Sequence, residues 1–213
     1  MKKIVIEKNK LHLLPVIHGL AGEDAKVRDA FEKVKPDCIA IGVAPEDIEI
    51  MSKIEGNEEF EISLQHQYYL MHLSKYGKVS IPPSDIKTAC EIAHNHNIPL
   101  ETIDINDEEY AELLTKNVSI FALLKHSRKI KKMAKKKFKA KTAEEFVYEW
   151  DNEINTIKSF KKIEEEREEK MIFNLIELCK KYEKILAIIP LEKYDGLVRR
   201  LERYKKSSPI TPQ

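Results

Sequence analysis

The chain has 213 residues, enough to bury a sizeable core within one domain. Its 37 Lys and Arg residues nearly balance its 36 Asp and Glu residues, which argues against a dedicated nucleic-acid-binding protein and restricts electrostatic partners to a local patch. The longest apolar runs are far shorter than the roughly 18 residues of a membrane span, and no secretory signal opens the chain, so we expect a cytoplasmic protein without a membrane span.

The first half of the chain has the pattern of a strand, a helix and a second strand. The stretch "LHLLPVI" is strand-like, and a helix is predicted after it because apolar side chains recur at i, i+3, i+4 and i+7, namely Val27, Ala30, Phe31 and Val34. The run "CIAIGV" then predicts a strand that is covered on both faces, as in a parallel sheet. This order is that of a βαβ unit.

The helix-strand order recurs in the second half. "SDIKTACEIAHNHN" predicts a helix capped by Ser84 or Asp85, and "ETIDI" predicts the strand that follows it. "EKMIFNLIELCKKYE" predicts another helix, and the strand "KILAIIP" and a closing helix come after it. We therefore predict an α/β fold with a mostly parallel sheet flanked by helices.

Residues from about 107 to 167 contain no strand-like run, which predicts a helical excursion that projects from the sheet or caps it. We expect a single domain over residues 1–205 and a flexible tail over residues 206–213. Three cysteines are far apart and lack a Cys-x-x-Cys pair, so we expect reduced, buried thiols at Cys38, Cys90 and Cys179.

Four residues follow predicted strands at the edge where ligands bind in parallel α/β sheets. His18 follows the first strand, Asp104 lies at the end of "ETID", and Glu192 and Lys193 follow the last strand. The remaining histidines of these helices and strands are predicted to be packing or surface residues. No Gly-x-Gly-x-x-Gly, Gly-Lys-Ser/Thr or Gly-x-Ser-x-Gly motif is present to indicate nucleotide binding or a serine hydrolase.

Several segments agree, in order, with the motifs of one family. "LLPVIHGL" resembles a first strand ending in Gly-x-x-His, with His18 at the histidine and Pro15 at the glycine. "VKPDCIAIGVAPED" resembles the second strand, and "EEREEKMIFNLIELCKKYEKILAIIPLEKYDGLVRRLE" resembles the last helix-strand-helix, including Glu166, Arg167 and Met171. The chain thus resembles the TraB/PrgY family, related to the Tiki, ChaN-like and erythromycin-esterase-like proteins, as a divergent member.

The resemblance implies a metal-dependent hydrolytic site built from two histidine motifs and an acidic strand end. It suggests His18, Asp104, Glu166 and Arg167 as catalytic residues, with His18 and Asp104 as ligands of a divalent metal. The second motif histidine is replaced by Lys193, whose ammonium is a poor metal ligand. The acidic strand end is also missing, so the hydrolase pattern is degraded.

Two hypotheses for this site stay open. In the first, a non-catalytic descendant holds an anionic or polar small molecule through His18, Asp104, Asp85, Glu192 and Lys193. In the second, a metal-dependent peptidase or esterase uses His18 and Asp104, with Asp85 or Glu166 completing the three or four ligands that zinc requires. A protein partner and packing into a homo-oligomer are also open.

The most biased segment is "KHSRKIKKMAKKKFKAK", from Lys125 to Lys141, which contains ten Lys or Arg residues and no acid. Such a helix could contact nucleic acid or an anionic membrane surface. We favour the alternative of a solvated helix whose partners are the acidic stretches "AEEF" and "EEEREE" of the same chain. Nucleic acid is the less favoured partner because no aromatic stacking platform accompanies the lysines.

Overall fold

A five-stranded sheet forms the centre of the protein, in a computed structural model that describes residues 1–53 and 62–207. The strands are β1 (Lys2–Ile6), β2 (Asn9–Val16), β3 (Cys38–Ile41), β4 (Leu100–Thr102) and β5 (Lys184–Pro190). Their order across the sheet is β1-β2-β5-β3-β4. β1 runs antiparallel to β2 at one edge, and all other neighbouring pairs are parallel.

Helices account for most of the remaining described residues. They are α1 (Glu23–Val34), α2 (Pro45–Lys53), α3 (Leu64–Leu73), α4 (Ser84–His96), α5 (Asp107–Asn117), α6 (Ile120–Met133), α7 (Ala143–Ile154), α8 (Lys158–Lys181) and α9 (Leu191–Ser207). The predicted α/β fold with a mostly parallel, helix-flanked sheet is confirmed. In the described part of the chain, no helix combines the length and the apolar character needed to cross a bilayer.

Both faces of the sheet are covered, which explains the continuous apolar runs in the sequence. In β5, Ile185, Ala187 and Ile189 pack against α8 and α9, whereas Leu186 and Ile188 pack against α1 and α4. The apolar stripe predicted for α1 packs against the sheet: its four residues are all buried, in the same cluster as Leu186 and Ile188. The helix-sheet-helix sandwich therefore follows from the alternation of side chains along β5.

A third apolar cluster lies at the carboxyl end of the sheet, where Ile17 follows β2. It joins α3, α6 and α7, and its central side chain is Phe146, which is fully buried and stacks with Tyr69 at 5.6 Å between ring centroids. His72 belongs to this cluster and donates a hydrogen bond from Nε2 to the carbonyl of Met133 at 2.8 Å. Part of the helical excursion thus caps the sheet edge at which a site is expected.

Some boundaries differ from the predictions. β1 was not predicted, and β4 ends at Thr102 instead of extending through "ETIDI". The predicted end of the excursion near residue 167 lies inside α8, which is continuous as far as Lys181. The last helix continues to Ser207, and the rest of the predicted tail, residues 208–213, lies outside the described residues.

The predicted cap of α4 is wrong. Ser84 and Asp85 are the first two residues of the helix, Pro83 occupies the capping position, and the backbone N–H of Ser84 donates to Oγ of Ser80 at 3.2 Å. The carboxylate of Asp85 instead contacts His18, so it serves the candidate site and not the helix end.

Gly42, which follows β3, permits close packing beside the same edge of the sheet. A Cβ atom at this position would lie 2.6 Å from Cδ of Pro190 and 3.0 Å from Cε of Met171. Neither the proline ring nor the fully buried methionine has room to withdraw.

We expect Gly42→Ala to lower the free energy of unfolding by about 1–3 kcal/mol, the usual result of overpacking a core, as measured by urea denaturation. Gly196→Ala is the matched control, because its Cβ would meet only the flexible end of Glu168, 2.8 Å away, and alanine favours the helix interior. Equal stability of the two variants would contradict this account.

Candidate functional site

A cavity of about 300 Å³ opens at the carboxyl edge of the sheet. Its floor includes His18 after β2, Asp104 after β4, and Lys193 in the first turn of α9. The aromatic side chains of Tyr69 in α3 and Trp150 in α7 also line the cavity. Residues far apart in the chain are therefore brought together here, as expected for a parallel α/β sheet.

His18 is held by a buried ion pair with Asp85. Nδ1 of His18 lies 2.5 Å from Oδ2 of Asp85, whose side chain is fully buried in the first turn of α4. Gly19 allows the chain to turn directly after the histidine, since its φ is +84° and a Cβ there would lie 2.9 Å from Leu70. The ion pair with Asp85 therefore orients the imidazole ring.

The pair shifts both protonation equilibria. Burial lowers the pKa of His18, but the charge and hydrogen bond of Asp85 outweigh this, and the pKa of His18 is raised above its ordinary value. Burial raises the pKa of Asp85, but His18 outweighs it, and the net direction is down. A protonated imidazole beside an ionised carboxylate is therefore the favoured state.

The second nitrogen of the imidazole, Nε2, is buried and has no hydrogen-bond partner among the described residues. Because Nδ1 is occupied by Asp85, Nε2 is the atom through which His18 can donate a hydrogen bond to a molecule in the cavity. The arrangement can hold a proton at Nε2 in a fixed direction.

A chain of ion pairs forms the adjacent wall. Arg167 of α8 donates from Nη2 to Oδ2 of Asp104 at 2.5 Å and from Nε to Oδ1 at 3.2 Å. The same guanidinium donates from Nη1 to Oε1 of Glu164 at 2.9 Å. Burial lowers the pKa of Arg167, but these two carboxylates outweigh it and raise the pKa. Arg167 therefore links the loop after β4 to its own helix.

The chain of ion pairs continues to the last helix. Nζ of the buried Lys193 donates to Oε2 of Glu164 and lies 3.9 Å from Glu168. Burial raises the pKa of Glu164, but Lys193 and Arg167 outweigh it and lower the pKa. No turn separates β5 from this lysine, because α9 begins directly after Pro190. The ammonium group of Lys193 therefore interacts with the carboxylates of α8.

Two further carboxylates line the cavity, and neither forms an ion pair with another described residue. Burial raises the pKa of Asp151 to about 6, although the charge of Lys193 acts in the opposite direction. Glu192 is half-buried at the start of α9, and its charge raises the pKa of His18. These groups give the cavity unpaired acidic character.

The structure separates one predicted site residue from the others. His18, Asp104, Arg167, Glu192 and Lys193 all line the cavity, and Asp85 lies directly behind His18. Glu166 instead points away, where its carboxylate pairs with Lys162 at 3.6 Å. The neighbouring acid Glu164 occupies the cavity wall, because residues two apart on a helix face different directions.

The described residues do not fit the metal site of the hydrolase hypothesis. Among residues 1–53 and 62–207, no three His, Cys, Asp or Glu side chains converge as metal ligands. Asp104 already accepts both hydrogen bonds from Arg167, and the imidazole Nδ1 of His18 is bound to Asp85. A guanidinium beside the proposed ligand would also repel a divalent cation.

Several cavity residues were missed by sequence reasoning. Asp151 and Trp150 lie in a charged helical segment without strand ends, and Glu164 lies in an acidic run typical of a solvated surface. His66 was predicted to be a packing or surface residue and Tyr69 was not singled out, yet both line the cavity. The acidic run offered no signal to distinguish Glu164 from Glu166.

The thiols are reduced and do not belong to this cavity. Burial raises the pKa of Cys38 to about 12 and that of Cys179 to about 11, so both are protonated and unreactive at neutral pH. Cys90 is half-buried and also unpaired.

Comparison with known proteins does not assign the chain to a family. Neither protein-family models nor curated proteins include a significant match to this chain.

Replacing Asp85 by asparagine should reverse the pKa shift of His18. The neutral amide removes the charge that raises the pKa, so burial dominates and the pKa should fall below the ordinary value of 6.5, as measured by an NMR pH titration of the imidazole. His12, near the far end of β2, is the internal control, and its signal should not move. A His18 pKa that stays above 6.5 in Asp85→Asn would contradict the pairing.

The same linkage predicts a pH window for stability. The raised pKa of His18 stabilises the fold at pH below the unfolded value, and this contribution is lost as pH rises through the folded pKa. The lowered pKa of Asp85 stabilises the fold above the unfolded value, and that contribution is lost as pH falls through its folded pKa. The stability difference between wild type and Asp85→Asn should therefore be largest between the ordinary pKa values of the two groups, 3.8 and 6.5, as measured by urea denaturation at a series of pH values.

Arg167→Gln should be strongly destabilising. It leaves the carboxylates of Asp104 and Glu164 with reduced compensation, Asp104 having a side chain only 5% exposed, so we expect a loss on the order of 3 kcal/mol in chemical denaturation. Lys162→Gln is the control on the same helix, since it removes the exposed pair with Glu166, worth less than about 1 kcal/mol. Comparable losses in both variants would show that this chain of ion pairs contributes no more to the free energy of unfolding than an exposed pair does.

Proposed function

We propose that this protein is a ligand-binding α/β domain whose cavity holds a small polar molecule carrying a positively charged amino group. The observation that carries the proposal is the position of Asp151 and Glu192, two carboxylates without an ion pair to any residue of 1–53 or 62–207, in the cavity where His18 presents Nε2. An amine satisfies the carboxylates, and a hydrogen-bond acceptor on the same molecule accepts from Nε2.

The balance of charge favours a cationic group over the anionic ligand considered from the sequence. Four carboxylates line the cavity, and its two permanent cations, Arg167 and Lys193, are both paired with them. A wholly anionic ligand would have to displace one of these buried pairs, which is costly because it leaves a carboxylate uncompensated. A positively charged group meets no such cost at Asp151 and Glu192.

The size and walls of the cavity agree with a metabolite-sized ligand. Its volume of about 300 Å³ lies at the lower end of pockets that bind small molecules. Tyr69 and Trp150 offer aromatic surface, which attracts organic cations through the ring face.

We also propose that the scaffold is TraB-like. The segments that carry the resemblance contribute His18, Asp104, Arg167 and Lys193 to one cavity, which supports a common ancestral site. On this view the family's metal chemistry has been replaced by buried ion pairs. The three unpaired cysteines support the proposed cytoplasmic location, since free thiols persist in reducing compartments.

The proposal is tested with small probes that differ in charge: ethanolamine and 3-aminopropanol, which carry both an ammonium group and a hydroxyl acceptor, erythritol and succinate. We expect the amines to raise the melting temperature and to shift the NMR signal of His18, with stabilisation of about 2.7 kcal/mol once the free concentration reaches about 100 times Kd. The doubly substituted Asp151→Asn/Glu192→Gln variant should weaken amine binding at least tenfold, because each lost charge-assisted contact contributes about 1.5–3 kcal/mol.

Glu112→Gln is the matched control, since it removes a carboxylate from the exposed surface of α5 and should leave binding unchanged. Binding of succinate in preference to the amines would refute the proposed charge class. Amine binding that survives in Asp151→Asn/Glu192→Gln would place the ligand elsewhere.

A further inference from the structure

The first turn of α6 exposes large apolar side chains to solvent. Phe121 is 80% exposed and Ile120 is 63% exposed, and Leu123 and Leu124 beside them are also exposed. Ser119 is the N-cap of α6, and its Oγ accepts a hydrogen bond from the backbone N–H of Ala122. The exposed residues therefore belong to a capped helical turn. Contiguous exposed apolar surface of this kind marks an interaction site.

Cations follow the apolar turn along the same helix. Phe121, Lys125, Arg128 and Lys132 are spaced four, three and four residues apart, so they share one face of the helix. All four are exposed, as is Lys131 on the adjoining side. Arg128, Lys131 and Lys132 form no ion pair with any residue in the described ranges. The face therefore combines an apolar tip with unneutralised positive charge.

An adjoining side of the same segment is attached to the protein. His126 stacks on Phe160 of α8 at 3.8 Å between ring centroids, and Met133 is buried in the third apolar cluster. Lys129 and Lys136 pair with Glu153 of α7 at 2.8 and 2.9 Å. These ion pairs reach only one side of the basic segment, and their acid, Glu153, lies in neither of the acidic stretches predicted as partners. These contacts hold the helix against α7 and α8 with its apolar and basic face exposed.

Charge and polarity together select the occupant of this face. A second copy of the chain packed symmetrically on it would place like charges opposite one another, which is unfavourable. A nucleic acid would neutralise the lysines but would leave the aliphatic side chains of Ile120 and Leu124 exposed. An anionic bilayer accommodates both features, because acyl chains accept the apolar tip while lipid phosphates and carboxylates contact the cations.

We propose that the Phe121–Lys132 face of α6 docks the protein on the surface of anionic membranes. The apolar first turn inserts below the headgroups, and Lys125, Arg128, Lys131 and Lys132 lie among them. This is a peripheral interaction that is independent of the ligand proposed for the cavity.

The experiment is co-sedimentation of the full chain with phosphatidylcholine vesicles that contain or lack phosphatidylserine. We expect binding only to the phosphatidylserine vesicles, and a decline as salt is raised. Phe121→Ser/Leu124→Ser should reduce the partition coefficient at least tenfold, because two buried apolar side chains are lost. Lys131→Gln/Lys132→Gln should reduce it by about fivefold for each lysine.

Phe173→Ser is the matched apolar control, because Phe173 is 58% exposed on α8, outside the α6 face, and Lys87→Gln is the matched charge control on the exposed side of α4. Both should bind vesicles like the wild type. Circular dichroism and the melting temperature should be unchanged in all these variants, since each altered side chain is exposed.

Equal binding to neutral vesicles, or no binding to either kind, would overturn the proposal. It would also be overturned by vesicle binding that persists in Phe121→Ser/Leu124→Ser. A dimer in solution that this variant dissociates would assign the face to a second copy of the chain. Retention of single-stranded RNA by wild type and Phe121→Ser/Leu124→Ser alike, without vesicle binding, would assign it to nucleic acid.

Discussion

The chain of ion pairs that runs from the buried Asp104 through the partly buried Arg167 and Glu164 to the buried Lys193 organises the carboxyl edge of the sheet. It joins the loop after β4 to α8 and α8 to α9, so three segments that are distant in sequence are aligned around one cavity. Such a chain is stabilising only when every member is compensated, because each buried charge costs several kcal/mol if its partner is removed. The geometry of the cavity wall and the stability of the fold therefore depend on the same contacts.

The His18–Asp85 pair stands apart from that chain and has a different consequence. Arg167 and Lys193 use their hydrogen-bonding groups on carboxylates of the protein, whereas His18 uses one nitrogen on Asp85 and keeps Nε2 unpartnered. The cavity thus contains fixed charges that shape it and one oriented imidazole that is available to a ligand. Because Arg167 and Lys193 are paired with Asp104 and Glu164, the negative charges of Asp151 and Glu192 stay without an ion pair to a described residue, although the protein as a whole is nearly neutral.

The sequence predicted the sheet and its helices well because the evidence for them is local. Apolar runs and helical stripes in α1, α8 and β5 report burial on identifiable faces, and the strand-end rule placed His18 and Asp104 correctly at one edge. β1 escaped prediction because only Ile4 and Ile6 are buried in an edge strand that begins with two lysines. Asp85 looked like a helix cap because its true partner, His18, is 67 residues away and local pattern does not reveal it. The choice between Glu164 and Glu166 depended on the rotation of α8, which an acidic run does not specify.

Lys193 and Arg167 determine which carboxylates of the cavity are paired within the protein. Where the resemblance implies a histidine, a lysine brings a permanent positive charge that compensates Glu164, and Arg167 does the same for Asp104. A metal ion would otherwise be the natural counterion for such carboxylates. Because the protein supplies the positive charge itself, these carboxylates are compensated, and Asp151 and Glu192, which form no ion pair with a described residue, are left to attract a ligand. Under the proposed TraB-like ancestry, the site keeps the positions of a metal centre while its chemistry changes from coordination to recognition.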